Sequence, residues 1–130
     1  GGLTTKIHLV ADEAGCPLRF ILTPGQAADV VSAPDLISGL KAKAVIADKG
    51  YDSGELRDFI RAKRMRVVIP SKVNRKRAIR YDKEVYKQRN LIERCFNKLK
   101  HFRRISTRFD RLDCHFMAML HLAATMIWLK

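Results

Sequence analysis

Four apolar residues, Ala44–Ala47 (AVIA), constrain this chain most. The run is too short for a helix and reads as a buried strand. Segments with helical patterns flank it, near Asp29–Leu40 and over Ser53–Met65, where Leu56, Phe59 and Ile60 form an inner face. A second short apolar run, Arg66–Ile69, ends at Pro70. Strands that alternate with helices call for an α/β architecture with parallel pairing in its centre. Before them, Leu3–Val10 and Leu18–Thr23 are β-type runs around the turn cluster DEAGCP (Asp12 to Pro17), which predicts an antiparallel hairpin. His8 falls in the first of these strands and reads as a half-buried strand histidine.

Local signals place the boundaries. Ser32 and Asp35 have capping-box spacing, Pro34 suits a first turn, and Gly39 marks a helix end. Asp52 lies three residues before Glu55 and reads as an N-cap. His115–Leu129 is apolar on nearly all sides and shorter than the ~20 residues of a membrane span, so a buried terminal helix is expected. His115 and His121 are wrongly spaced for a helical metal pair.

Composition narrows the partners. The 130 residues carry 26 Lys and Arg against 13 Asp and Glu, a net charge of +13. Such an excess points to a polyanion, nucleic acid first and an anionic membrane surface second. Lys72, Arg75, Lys76, Arg77 and Arg80 make a dense basic segment, and Arg103, Arg104, Arg108 and Arg111 continue the trend. We expect phosphate contact there. Cys16, Cys95 and Cys114 are too scattered for a disulfide framework or a zinc site and fit a reducing cytoplasm. With 47% hydrophobic residues the chain should fold, as one domain over residues 1–130.

Two acids stand out. Asp48 ends the AVIA strand, where α/β sheets place ligands and catalysis, although a turn aspartate bonding its own backbone reads as well. Glu93 lies in Tyr86–Lys100, a stretch without Gly or Pro that reads as a helix. With Glu93 at zero on a helical wheel, Tyr86 falls at about +20°, Arg89 at about −40° and Lys100 at about −20°. These four share one stripe. Leu91, Ile92, Cys95, Leu99 and Phe102 lie on another arc, the expected core face. A lone glutamate among cations can equally be a solvated face with weak ion pairs.

The spacing Tyr86-x2-Arg89-x3-Glu93-x6-Lys100 resembles the Tyr-Arg-Glu-Lys signature of bacterial insertion-sequence transposases with a DDE active site. The GGLTTKIH opening and the ADKGYDS loop are similar to the same family. The resemblance implies an RNase H-like mixed sheet flanked by helices, and DNA cleavage at element ends followed by strand transfer into target DNA. It also implies a pair of divalent metals, Mg2+ or Mn2+, with Asp48 and Glu93 matching the second and third carboxylates. Tyr86 and Arg89 would steady phosphate or the glutamate, and Lys100 would contact DNA near the cut. The family's first aspartate has no match, so the chain reads as the C-terminal part of the catalytic domain, its first strand missing and the neighbouring strands left with open edges. On this reading the chain alone is inactive. The full-length protein would be a homo-oligomer, cytoplasmic and nucleoid-associated in a bacterium, with no membrane role. A basic nucleic-acid-binding module without catalysis, or a non-functional remnant of a mobile genetic element, are the rival readings.

Overall fold

In the computed structural model the described residues are 3–13, 17–90, 93–94 and 117–129. They form β1 (Leu3–Ala11), β2 (Pro17–Pro24), α1 (Asp29–Ile37), β3 (Ala42–Ala47), a 3-10 turn (Lys49–Tyr51) and α2 (Gly54–Ala62). After these come β4 (Arg66–Val68), α3 (Lys83–Tyr86), a further 3-10 turn (Lys87–Arg89) and β5 (Met117–Leu129). One mixed sheet has the order β2-β1-β5-β3-β4. As expected, β1 and β2 pair antiparallel and β3 and β4 pair parallel.

The final segment is a strand, not the expected helix. β5 pairs antiparallel with β1 from Leu3↔Leu129 to Ala11↔His121, and parallel with β3 from Ala42↔Met117 to Ala47↔Leu122. A strand covered on both faces reads as an unbroken hydrophobic run, so apolarity on all sides could not separate it from a buried helix. The facing edges of β1 and β3 are therefore not open, as the missing-strand expectation had them. β5 satisfies both ladders.

The helices divide over two faces. Beneath α1 and α2, Val10, Val45, Ala47, Leu120 and Leu122 of the sheet meet Ala33, Leu36, Ile37, Leu56 and Ile60, with Tyr51 among them. On the opposite face Ala44, Ile46 and Val68 pack against Tyr81, Val85, Tyr86 and Met119, so α3 covers the sheet there. From Ala44 to Ala47 the residues of β3 alternate between these faces, as a strand's period of two requires.

Several local expectations are corrected. α1 begins at Asp29 behind Ala28, which makes no side-chain cap, so Ser32 and Pro34 lie inside the helix rather than at its start. Gly39 does end that segment, at φ +77°, a conformation that favours glycine. The N-cap of α2 is Ser53, whose Oγ accepts from Leu56 N. Asp52 instead turns into the core. Its buried carboxylate accepts Arg57 Nε at 2.8 Å, Arg75 Nε at 2.6 Å and the backbone N–H of Lys72 at 2.7 Å. Arg57 also donates to the carbonyl of Ile69 at 2.8 Å. This network ties α2, the end of β4 and the basic segment together. His8 is fully buried, and its Nε2 bonds Thr23 Oγ1 at 2.6 Å.

Candidate active site

Asp48 follows the last residue of β3 and caps the 3-10 turn, its Oδ1 accepting from Gly50 N at 2.8 Å. The turn reading of this residue is thus correct. It does not exclude the other, because Oδ2 points elsewhere. Arg89 Nη2 lies 3.5 Å from Asp48 Oδ2 and 3.6 Å from Glu93 Oε1. Because one nitrogen touches both, the two carboxylate oxygens lie within about 7 Å of each other. The strand end and the helix therefore converge, within the roughly 10 Å that a shared two-metal site requires.

Tyr86 belongs to the same cluster. Its hydroxyl accepts from Arg89 Nη1 at 3.3 Å, and the guanidinium sits over the ring at 5.8 Å. Burial pushes the Tyr86 hydroxyl above the ordinary phenol range, and the Arg89 charge opposes that rise. Within the stripe Tyr86 thus touches Arg89, and Arg89 reaches Glu93, but the unbroken helix expected over Tyr86–Lys100 is not found: α3 ends at Tyr86 and Lys87–Arg89 is a 3-10 turn. Lys100, the fourth member, lies outside the described residues, as do Arg103 and Arg104 and the apolar arc Leu91, Ile92, Cys95, Leu99 and Phe102.

One acid near the site went unrecognised in the sequence. A Cβ on Gly50 would stand 2.9 Å from Asp48 Oδ1 and 3.0 Å from Asp29 Oδ2, which brings those two oxygens within about 6 Å. Asp29 opens α1, and Lys6 of β1 holds it with a 2.9 Å ion pair while also donating to Ala27 O at 2.8 Å. Burial drives the Tyr51 hydroxyl far above its usual range, and Asp29 and Asp48 add to the shift. Nothing in the spacing of Asp29 announces this. Only the packing of α1 over the 3-10 turn does.

The basic segment divides. Lys72, Lys76, Arg77 and Arg80 are exposed, whereas Arg75 is half-buried and spends its Nε on Asp52. Asp52 raises the Arg75 pKa, and the donors around Asp52 hold its carboxyl well below the usual range against the opposing effect of burial.

The metal can be tested against the donor set. Asp48 and Glu93 offer oxygen ligands, as Mg2+ prefers, and already converge on one cationic group. Among the described residues no three His, Cys, Asp or Glu lie together in a metal-holding group. The residues present fit half of a two-metal site.

A mixed α/β sheet flanked by helices, with a strand-end aspartate and a helix glutamate meeting on its α3 face, defines an α/β protein consistent with the RNase H-like class. A family model described as the transposase DDE domain matches residues 2–129. The chain belongs to the DDE transposase family of insertion sequences. It is 45% identical to a putative transposase for insertion sequence element IS6501 of Brucella ovis, over 98% of this chain and 100% of that protein. It is 33% identical to a putative transposase for IS402 of Burkholderia cepacia, over 85% of this chain and 56% of the relative. A transposase for IS1106 of Neisseria meningitidis serogroup B is 31% identical over 72% of this chain and 35% of its own length. No solved structure matches. Among the described residues no helix is long and apolar enough to cross a membrane.

Proposed function

We propose that this chain supplies two of the metal-binding carboxylates of a DDE transposase, Asp48 and Glu93, and the basic surface that lays DNA beside them. The observation that carries the reading is Arg89, which joins both carboxylates through one nitrogen. A guanidinium there marks where positive charge is favoured between them. Bound Mg2+ or Mn2+ would stabilise the attacking and leaving oxygens of an in-line displacement at phosphorus. The chain's own groups do the rest. Tyr86 and Arg89 orient the glutamate and a DNA phosphate, while Lys72, Lys76, Arg77 and Arg80 hold the backbone electrostatically. Lys100, Arg103 and Arg104 extend that contact on the sequence reading.

With two carboxylates in the donor set, the chain alone binds DNA without cutting it. It forms the C-terminal part of a catalytic domain that works as a homo-oligomer on element ends and target DNA, in the bacterial cytoplasm at the nucleoid. The test is a Mn2+ titration followed by paramagnetic broadening of amide signals. Broadening centred on Asp48 and Glu93, lost in Asp48→Asn and Glu93→Gln with DNA binding intact, supports the site. Broadening elsewhere, or robust metal-dependent cleavage by the isolated chain, defeats it.

A further inference from the structure

Beside the edge strand β4 lies a cleft of about 610 Å3, lined by Arg61, Met65, Arg66, Val67, Arg80, Tyr81 and Asp82. Its volume is in the range of small-molecule sites, roughly 300–1,000 Å3. Three guanidiniums face one carboxylate. That carboxylate is already engaged: Asp82 Oδ1 accepts from Glu84 N and Val85 N at 3.1 Å each, and Oδ2 lies 3.3 Å from Arg66. Among the described residues Arg61 pairs with Asp58 alone, at 3.8 Å in an exposed pair. Among the described residues no carboxylate pairs with Arg80. The cleft thus holds unspent cationic donors beside the partly exposed Val67 and Tyr81, with buried Met65 beneath.

The cleft is linked to the acidic site through aromatic contacts. Tyr81 stands edge-on against Tyr86, with centroids 5.5 Å apart and an interplanar angle of 75°. Tyr86 in turn carries the Arg89 guanidinium, which joins Asp48 and Glu93. From the Tyr81 wall of the cleft, one ring, Tyr86, and the Arg89 guanidinium therefore lead to the carboxylates.

We propose that this cleft binds one nucleotide unit of a DNA strand next to the reacting phosphate. The unit's phosphate meets Arg61, Arg66 and Arg80, and its base lies against the half-exposed Tyr81 ring. This rests on the DNA-binding reading above and adds a subsite to it. Arginine suits the phosphate because its planar fork can donate two hydrogen bonds at once. An aromatic ring suits the base because every base has a π-face.

The experiment titrates the full chain, by amide NMR, with thymidine 5′-monophosphate and separately with inorganic phosphate. Both should shift the signals of Arg61, Arg66 and Arg80–Asp82, with the nucleotide binding more tightly. Tyr81→Leu should weaken the nucleotide about tenfold and leave phosphate unchanged, the scale expected for one lost stacking contact. Tyr81→Phe, which keeps the ring, should match wild type, and this guards against a folding defect in the leucine variant. Arg66→Ala with Arg80→Ala should weaken both ligands. Equal affinity for nucleotide and phosphate, or indifference to Tyr81→Leu, overturns the subsite. Duplex binding measured across a salt series keeps the two readings apart. If duplex DNA binds with a steep salt dependence while the nucleotide ignores the cleft, only the subsite fails. If duplex DNA does not bind, the underlying reading fails.

Discussion

Arg89 Nη2 lies 3.5 Å from Asp48 Oδ2 although 41 positions of chain separate the two residues. The contact joins the end of a sheet strand to the α3 side of the fold, and it extends to Glu93 one helical turn on. All three side chains are partly exposed, with Asp48 at 27%, Arg89 at 33% and Glu93 at 55%, so each pair is worth no more than about 1 kcal/mol. The arrangement is weak enough to be rearranged by a stronger cation.

Competition between Arg89 and metal gives the first prediction. Arg89→Gln removes the guanidinium and leaves two carboxylates facing each other. Mn2+ affinity of the chain should rise several-fold, the direction expected when a competing cation is deleted. Isothermal titration measures it, and an unchanged or lower affinity would show that the guanidinium does not occupy the cation's place.

Gly50 separates site from stability. Alanine there would press on Asp48 Oδ1, which Gly50 N holds, and on Asp29 Oδ2, both of them tips of side chains that can shift. Gly50→Ala should cost about 1 kcal/mol or less of stability, since side-chain tips rather than backbone must give. Metal broadening at Asp48 should nevertheless fall markedly. Denaturant melts and the Mn2+ titration read the two effects separately.

Asp52 should behave in the opposite way. Removing one partner of a buried ion pair costs about 3–5 kcal/mol, so Asp52→Ala should be severely destabilised. Its carboxyl titrates below the ordinary range in the folded state because Arg75, Lys72 N–H and Arg57 hold the charged form against burial. A depressed folded pKa contributes stability that is complete above the unfolded value, about 4, and is lost as pH falls through the folded one. Wild type should therefore lose stability progressively below about pH 4, and Asp52→Asn should flatten that slope.

Two buried histidines act at milder pH. Burial lowers the pKa of His8 and of His121, with Asp29 and Asp12 respectively pulling the other way. Their folded state favours neutral imidazole, so stability should decline as pH falls below about 6.5, where the unfolded histidines take up protons. His121 is fully buried on central strand β5, and among the described residues neither ring nitrogen has a hydrogen-bond partner. His121→Leu should reduce the fall in melting temperature between pH 7 and pH 5 relative to wild type.

DNA affinity should report which cations touch phosphate. Replacing Lys72, Lys76 and Arg77 with alanine should lower the slope of log affinity against log salt by about 3, at roughly 0.9 per lost phosphate contact. Arg75→Ala should cost stability first, because its Nε is bound to buried Asp52. Equal slopes in all variants would remove this segment from the DNA interface.

The sequence by itself determined the local elements and the chemistry they could carry. The AVIA run was already a buried strand, the hairpin followed from two β-type runs around a turn cluster, and helical periodicity put Tyr86, Arg89 and Glu93 on one stripe, whose neighbours do touch although Lys87–Arg89 is a 3-10 turn. Those are short-range properties, set by residue type and by periods of two or 3.6. What the tertiary structure decided was long-range. Whether the terminal apolar segment became helix or strand depended on the two-sided place between β1 and β3, which no local pattern records. Asp52 chose Arg57 and Arg75 over a helix end because burial strengthens charge-assisted bonds beyond a surface cap. The meeting of Asp48 with Glu93, and of Asp29 with Gly50, required α3 and α1 to pack on opposite faces of one sheet. Spacing along the chain holds no information about which faces two distant elements will cover.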